Sequence, residues 1–273
     1  MIDKDHIQAQ ARSAARKFAT LNEACPYPFS SDAGSVFKEA FLAARAGMQA
    51  VDTEQGAPWL LMNTGREHKL LRHVGHCEDH PIQPYVPTLG EISHSLAHIN
   101  RFTGHACRAY SVAEHSLLVA DMVAQDGHGY VAEICALMHD AHESITGDVA
   151  TPIKQVLGGT WARFEEAQQR NLLAAYGLVR DMQHHASLIK RYDLKALATE
   201  RRDLLPFDAA AHTPWPILDT PGAEILPCAD ADLMGKERVC KTPTAWANLW
   251  KWRTAALIAI VLEQAEATAK EAA

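Results

Sequence analysis

Apolar residues recur at intervals of three and four along most of the chain, the spacing that places side chains on one face of a helix. From Leu89 onward this spacing predicts helices separated by short breaks, and no segment alternates as a strand would. The pattern therefore predicts an all-α protein. The predicted helices span residues 89–102, 110–125, 130–143, 151–157, 160–177, 181–205 and about 244–270.

The first 88 residues divide into two further segments. Helical spacing in residues 3–20 and 35–48, interrupted by CPYPFSSDAGS, predicts a helical hairpin module over residues 1–50. Residues 51–88 are rich in proline and glycine, which break long elements, and are expected to form a linker or wrapping segment. The main helical domain is then expected over residues 89–273.

Composition narrows the class of protein without naming it. The 273 residues carry a net charge of −7, which argues against coating nucleic acid through bulk charge and allows small anionic substrates. Six scattered cysteines without a C-x-x-C pair favour a reducing compartment. The polar N-terminus and the short apolar run at residues 255–262 fit neither a signal peptide nor a membrane span, so we expect a soluble cytoplasmic protein.

Two predicted helices carry histidines at positions that should face the core. His115 shares a helix face with Val112, Val119 and Met122. The apolar stripe of the next helix runs directly into His139, which is followed by Asp140. A single histidine on an apolar face is commonly a hydrogen-bonded core residue, so each of these alone is a weak signal.

A third predicted helix adds a carboxylate. Asp193 lies on the apolar face that Ile189, Ala196 and Leu197 define, where an isolated charge is costly unless it is paired or bound to metal. Two imidazoles and two carboxylates converging from three helices favour a divalent site for Mn, Co, Fe, Mg or Zn.

These residues lie in segments that resemble the HD-domain metal-dependent phosphohydrolases, and most closely the branch of bacterial 5'-deoxynucleotidases and related phage nucleotide hydrolases. The resemblance covers roughly residues 60–205. It rests on the order His115, then His139 with Asp140, then Asp193. The segments that carry it are RFTGHACRAYSVAEHS (101–116), ALMHDAHESITGDVATPIK (136–154) and IKRYDLKALATERRDLL (189–205).

The resemblance implies an HD-type helical bundle and a role for several residues. His115, His139, Asp140 and Asp193 match the four ligands of one divalent metal ion per site. Glu143 matches the catalytic acid, which either activates the attacking water or protonates the leaving oxygen. The remaining matched positions are Arg101 for holding phosphate, Asp148 for organising water or sugar, and His105, Thr151 and Lys154 for substrate contact.

Some of these matches have competing explanations. Thr151 precedes Pro152 and is also expected as a helix N-cap, and Lys154 is equally explained as a solvated first-turn residue. Phe102 stands where the deoxynucleotidases have a tryptophan linked to rejecting the ribose 2'-hydroxyl, which puts sugar discrimination in doubt. Phe102 could instead be a core aromatic.

The leading functional hypothesis is a phosphohydrolase that releases phosphate from (deoxy)nucleoside 5'-monophosphates. One alternative is a deoxynucleoside triphosphate triphosphohydrolase, which needs further basic residues beyond the α-phosphate. The candidates for that role are Lys154, Arg191, Arg201 and Arg202.

A second alternative is a non-catalytic nucleotide- or ribosome-binding protein, because LNEACPYPFSSDAGSVFKEAF (21–41) resembles the short helical module of the ribosome modulation factor. A separate zinc site in the cluster His68, His73, His76, Cys77 and His80 is a further possibility, although its spacing matches no standard ligand frame. Besides a nucleotide, the expected partner is a second copy of the chain. The apolar stripe of the last helix (Trp246, Leu249, Trp250, Ala256, Leu257, Ile260) is expected to be core or subunit interface.

Overall fold

The computed structural model describes residues 4–15, 21–28, 31–50, 59–70 and 86–271. Within these ranges the protein is all-α apart from one small two-stranded sheet. The first three helices are α1 (Lys4–Ala15), α2 (Leu21–Ala24) and α3 (Asp32–Ala50). The remaining helices are α4 (Leu89–His98), α5 (Val112–Gln125), α6 (Tyr130–Met138), α7 (Glu143–Thr146), α8 (Thr151–Leu157), α9 (Gly159–Ala175), α10 (Val179–Leu204), α11 (Pro216–Asp219), α12 (Lys236–Val239) and α13 (Pro243–Glu271).

The helices after residue 88 pack around α5 and α6. Helix α5 contacts α4, α6, α10 and α13, and α6 contacts α10 and α13 as well. Almost every residue of α5 and α6 is buried, and their apolar side chains form the centre of the main core. Because both helices are surrounded, polar side chains on their inner faces are removed from bulk water.

Helix α13 packs against α4, α5 and α6, and part of its apolar stripe is buried there. Trp250 has no exposed surface, and its indole Nε1 donates to the carbonyl oxygen of Leu137 at 3.1 Å. Trp246 and Leu257 are also buried in the main core, whereas Leu249 is 40% exposed. Three of the six stripe residues are therefore core, whereas Leu249 and Ala256 are exposed and Ile260 is half-buried.

The N-terminal helices form a separate small cluster. Helix α1 packs on α3, and the shared apolar centre includes Ile7, Ala11, Phe37 and Phe41. Helices α1 and α3 lie within the segment predicted as a helical hairpin, with the short α2 between them. The end of the predicted first helix, residues 16–20, lies outside the described residues.

The segment predicted as a linker contains the two strands. Strand β1 (Trp59–Leu61) pairs antiparallel with β2 (Glu67–Lys69), with Leu60 opposite His68. The sequence showed no strand here, because three-residue strands are too short to show alternation. Gly65, at φ +79°, provides the left-handed residue of the connecting turn.

Two helices end earlier than periodicity predicted. Helix α4 stops at His98 because Ile99 is extended and Asn100 pairs with Ser111. Helix α6 stops at Met138. In a longer helix the carbonyl oxygen of Ala136 would accept from the backbone amide of residue 140. Here it accepts instead from the Nδ1 of His139 at 2.7 Å. Both endings place candidate site residues in turns.

Candidate metal centre

Three elements position the four predicted ligands. His115 lies in the first turns of α5, His139 and Asp140 lie in the turn that follows α6, and Asp193 lies midway along α10. Helix α5 begins at Ser111, whose hydroxyl accepts from the amide of Glu114 and caps the helix. Because α5, α6 and α10 pack against one another, the four side chains meet at one point.

The polar atoms of these residues converge closely. The Nε2 atoms of His115 and His139 lie 3.3 Å apart. The Oδ2 of Asp140 lies 3.1 Å from His139 Nε2 and 3.5 Å from His115 Nε2. The Oδ1 of Asp193 lies 3.3 Å from His115 Nε2. His115, His139 and Asp193 form a group whose ligand atoms all lie within 4.8 Å of one another and could hold a metal ion.

The hydrogen bonds on the far sides of both imidazoles explain why a cation fits. His139 Nδ1 faces the carbonyl oxygen of Ala136, and His115 Nδ1 faces the carboxylate of Glu200 at 2.5 Å. A carbonyl oxygen and a carboxylate can only accept hydrogen bonds. Each Nδ1 therefore carries the proton in the neutral ring, which leaves a lone pair on each Nε2. Four acceptor atoms then face one another, an arrangement that a divalent cation satisfies.

When no cation is bound, the close approach of these charged side chains shifts the pKa values of His115, Asp140 and Asp193. Burial and Arg101 oppose protonation of His115, but the carboxylates of Glu200 and Asp193 outweigh them and raise its pKa to about 9. Burial would raise the pKa of Asp140, yet His139, His115 and Arg101 hold it well below its usual value. The pKa of Asp193 is lowered in the same way, chiefly by His115 against the effect of burial. The site thus stabilises positive charge at its centre.

Glu200 is a site residue that the sequence reasoning missed. It is fully buried, accepts from His115 Nδ1 through Oε1, and pairs through Oε2 with the Nη2 of Arg101 at 3.1 Å. Burial would raise the pKa of Glu200, but Arg101 and His115 lower it. Its position seven residues after Asp193, two turns along the same helix face, is a sequence signal that could have identified it.

Arg101 lies at the edge of this centre, in a strained turn. Its Nη1 lies 3.7 Å from Asp140 Oδ2, and its Nε is buried without a hydrogen-bond partner. Burial alone would lower the pKa of Arg101, but Glu200, Asp148 and Asp140 keep it well above its usual value. The next two residues, Phe102 and Thr103, have φ values of 57° and 54°, which are rare for non-glycine residues. Such strain concentrates at functional sites.

Glu143, the predicted catalytic acid, is the first residue of α7 and is almost fully buried. Its Oε2 has no hydrogen-bond partner. Burial, reinforced by Asp140 and Asp148, raises the pKa of Glu143 well above its usual value. A buried carboxyl group with a raised pKa is the kind of group that can act as a general acid.

A second cluster of polar side chains surrounds Glu143. The ligand atoms of His142, Glu143 and Glu165 lie within 4.8 Å of one another. Glu165 accepts from the Nζ of Lys154 at 2.7 Å and lies 3.6 Å from the Nε2 of His142. The ammonium of Lys154 therefore already neutralises this cluster. The sequence reasoning had assigned no role to His142.

The remaining predicted substrate residues differ in how deeply they are buried. Asp148 is half-buried, and its pKa is raised by burial against the opposing charge of Arg101. The guanidinium of Arg101 lies 5.6 Å from the centre of the Phe102 ring, which is half-buried rather than a core aromatic. His105 is exposed.

Thr151 is the exposed first residue of α8, and the residue in the N-cap position is Ala150. The prediction of a Thr151 cap was wrong because the helix begins one residue earlier than Pro152 suggested. Of the possible zinc cluster, His68 is buried in β2 and burial lowers its pKa. His73, His76, Cys77 and His80 lie outside the described residues.

A cavity of about 450 Å³ lies against the metal centre, between α9 and α10. His139, Asp140 and Asp193 form part of its lining. A larger cavity of about 750 Å³ lies elsewhere, beside Asp121, Asp230 and Asp232, and none of the four predicted ligands lines it. Among the described residues, no helix is long and apolar enough to cross a membrane.

Fold and site together define a helical protein in which histidines and carboxylates from three elements are arranged to hold a metal ion. The chain is 36% identical over 151 residues to the uncharacterized protein YfdR of Escherichia coli (strain K12), a match covering 54% of this chain and 78% of that protein. The chain belongs to the same family as that protein.

A second relative extends this group. The chain is 37% identical over 124 residues to an uncharacterized protein of Rhodobacter capsulatus, a match covering 44% of this chain and 59% of the relative. No protein-family profile matches the chain. Neither relative's name states an activity.

Proposed function

We propose that this protein is an HD-type metal-dependent phosphohydrolase that converts (deoxy)nucleoside 5'-monophosphates to nucleoside and orthophosphate. The observation that carries the proposal is the convergence of the side-chain nitrogen and oxygen atoms of His115, His139, Asp140 and Asp193 on one point. The buried Glu143 and the half-buried Arg101 beside that point supply the groups that phosphoester hydrolysis requires.

The four side chains would hold one divalent cation, of which Mn, Co, Mg, Fe and Zn all accept such ligands. When bound, the cation supplies a nucleophile at neutral pH and neutralises charge on the phosphoryl oxygens. The buried His115 and His139 are oriented for ligation by their Nδ1 hydrogen bonds to Glu200 and Ala136.

The other site residues have distinct roles in the proposed reaction. Water attacks phosphorus as the bond from phosphorus to the nucleoside O5' breaks. Glu143 gives a proton to that leaving oxygen and regains one that the attacking water loses as orthophosphate forms. The guanidinium of Arg101, whose Nη1 lies 3.7 Å from Asp140 Oδ2, would hold the phosphate beside the metal centre. Asp148, half-buried near Arg101, orients water or the sugar.

The basic residues that a triphosphohydrolase would need are already engaged in this structure. Arg201 makes two hydrogen bonds to Asp219, at 2.6 and 2.7 Å, and Lys154 is paired with Glu165. Arg202 pairs with Asp203 at 2.6 Å, and the guanidinium of Arg191 lies over the ring of the next residue, Tyr192. Monophosphates are therefore the better-supported substrates.

We further propose that the protein acts in the cytoplasm on a small substrate. The five cysteines within the described residues are all free thiols, which is consistent with a reducing cytoplasm. The net charge of −7 favours a small substrate over nucleic acid. We also propose that the protein is a homo-oligomer, as the HD-domain resemblance implies.

A product assay tests the function. Protein loaded with Mn or Co is offered deoxy- and ribonucleoside mono- and triphosphates separately, and orthophosphate and tripolyphosphate are measured. We expect orthophosphate from monophosphates, with activity lost in both Asp193→Ala and Glu143→Gln.

Metal analysis separates the two variants. Glu143→Gln should retain the metal content of the wild type, because Glu143 is not among the proposed ligands, whereas Asp193→Ala should lose metal. Tripolyphosphate as the product would favour the triphosphohydrolase. No release from any nucleotide, with metal bound, would reject both hydrolase hypotheses in favour of a non-catalytic nucleotide- or ribosome-binding protein.

A further inference from the structure

Helix α13 has a second apolar face, opposite the face that packs on the bundle. Trp246, Trp250 and Leu257 lie on the inner face and are buried in the main core. The other face carries a row of exposed apolar residues that we call the outer stripe: Leu249, Trp252, Ala255, Ala256, Ala259 and Leu262. These six residues share one side of the helix because they recur at intervals of three and four. The bundle therefore covers one apolar side of α13 and leaves the other open to solvent.

The length of the outer stripe distinguishes it from ordinary surface. Trp252 and Leu262 are 61% and 59% exposed, and the stripe continues between them over about three turns of helix. Single exposed apolar residues are common, but a contiguous exposed row marks an interaction site. Tryptophan in particular is enriched where proteins bind one another. The outer stripe is therefore a candidate docking surface.

The C-terminal part of α13 is open to solvent on all sides. Every residue from Leu262 to Thr268 is exposed. Helices in water gain most of their stability when an apolar face packs against a neighbour. A second helix along the outer stripe would supply that packing to the end of α13.

The spacing of the outer stripe indicates what shape of partner fits it. Positions 252, 255, 259 and 262 are separated by three, four and three residues. This alternation is the seam of a coiled coil, in which two helices interlock side by side. The partner that the stripe fits is therefore another helix.

The order of large and small side chains along the stripe fits a second copy of the same helix. In an antiparallel pair with its two-fold axis level with position 257, position 252 of one copy faces position 262 of the other, and position 255 faces position 259. Trp252 would then pack on Leu262 at each end of the contact, and Ala255 on Ala259 in its middle. A two-fold interface has to match itself in this manner, because both copies present the same surface.

The charges beside the outer stripe favour the antiparallel pair. The ammonium of Lys251 lies 5.8 Å from the centre of the Trp252 ring, near the N-terminal end of the stripe. Glu263 and Glu266 follow the stripe at its other end and are exposed. In a parallel pair each of these acids would lie beside its own copy. An antiparallel pair instead brings both acids alongside the end that carries Lys251.

We propose that two copies of this chain form a dimer through the outer stripes of their α13 helices, packed antiparallel about a two-fold axis. The inference goes beyond the proposed hydrolysis, since none of the four proposed metal ligands lies in α13. Dimerisation is therefore expected to require neither metal nor nucleotide.

The substitution Ala259→Glu tests the interface. Ala259 is exposed in the single chain and would lie in the middle of the dimer contact, where an added carboxylate is buried beside its own copy. Ala174→Glu is the matched control, because Ala174 is an exposed alanine of α9. The mass in solution is measured by analytical ultracentrifugation over a series of concentrations of the metal-free protein.

We expect the wild type and Ala174→Glu to reach twice the chain mass of 30.0 kDa. Ala259→Glu should weaken the association by about 100-fold or more, since like charges at an interface oppose binding. Below the dissociation constant of the dimer, chemical denaturation should give the same free energy of unfolding for all three proteins. Equal association of the two variants would overturn the inference. A single-chain mass at every concentration would also overturn it, and would leave the outer stripe to a different protein.

Cross-linking tests the antiparallel arrangement. Ala255→Cys and Ala259→Cys are purified separately, mixed and oxidised with diamide, and the wild type gives the background from its exposed Cys107 and Cys240. We expect the mixture to form more disulfide-linked dimer than either variant alone, because positions 255 and 259 face each other in the antiparallel pair. A linked dimer that forms equally well from Ala255→Cys alone would show a parallel pair and overturn the proposed arrangement.

Discussion

Glu200 links the candidate metal centre to the arginine beside it. Its two oxygens accept from His115 Nδ1 and Arg101 Nη2, and no part of the residue is exposed. The carboxylate thereby fixes the tautomer of one proposed ligand and the orientation of the guanidinium. Glu200 is a positioning residue, since its contacts reach the substrate only through these two side chains.

Replacing Glu200 by glutamine should weaken metal binding. Glu200→Gln preserves the side-chain shape but removes the charge that stabilises His115 and Arg101, and loss of such an outer-shell partner typically costs about 10- to 100-fold in metal affinity. A metal titration followed by calorimetry measures this effect. Glu263→Gln on the exposed part of α13 is the control, and equal affinity in the two variants would contradict the positioning role.

At the scale of elements, the site depends on how helices end. The sequence pattern located α5, α6 and α10 and predicted that their apolar faces would carry His115, His139 and Asp193. It extended α6 through residue 143, whereas the helix stops at Met138 and the following turn places His139 and Asp140 at the centre. Periodicity reports which face is buried, but the competing hydrogen bond of the His139 imidazole decides where the helix ends.

Trp250 fixes α13 against the end of α6. Trp250→Ala would remove a fully buried indole and its hydrogen bond to Leu137, and the cavity left behind should cost about 3–5 kcal/mol in the free energy of unfolding. Trp252→Ala, two residues along the same helix and 61% exposed, should change it by less than about 0.5 kcal/mol. Chemical denaturation of both variants makes the comparison, and similar losses in the two would show that the indole of Trp250 does not support α6.

At the scale of the whole molecule, the charges of the centre couple metal binding to stability. In the metal-free protein the carboxylates raise the pKa of His115 from 6.5 to about 9. The raised value means that protonated His115 stabilises the fold fully below pH 6.5, and that this contribution is lost as the pH rises through 9. This contribution to the free energy of unfolding is on the order of 3 kcal/mol, since each pKa unit corresponds to about 1.4 kcal/mol.

We therefore expect the metal-free protein to lose stability between pH 6.5 and 9, measured by denaturation at a series of pH values. His115→Gln should lack this dependence. With metal bound the slope should reverse, because ligation requires the neutral imidazole and protons compete with the metal at lower pH. A metal-free wild type with the same pH profile as His115→Gln would show that His115 does not control it.

The sequence by itself determined the helical class, the location of most helices and the four converging side chains, because these follow from local spacing and from the burial of apolar faces. Only the tertiary structure decided the partners of those side chains. Glu200, Arg101 and His142 acquire their partners from contacts between residues distant in the chain, and the cavity exists only where α9 and α10 pack beside the turn after α6. Such long-range contacts leave no periodic signal, so neither the network around the centre nor the space beside it could be predicted from the order of residues.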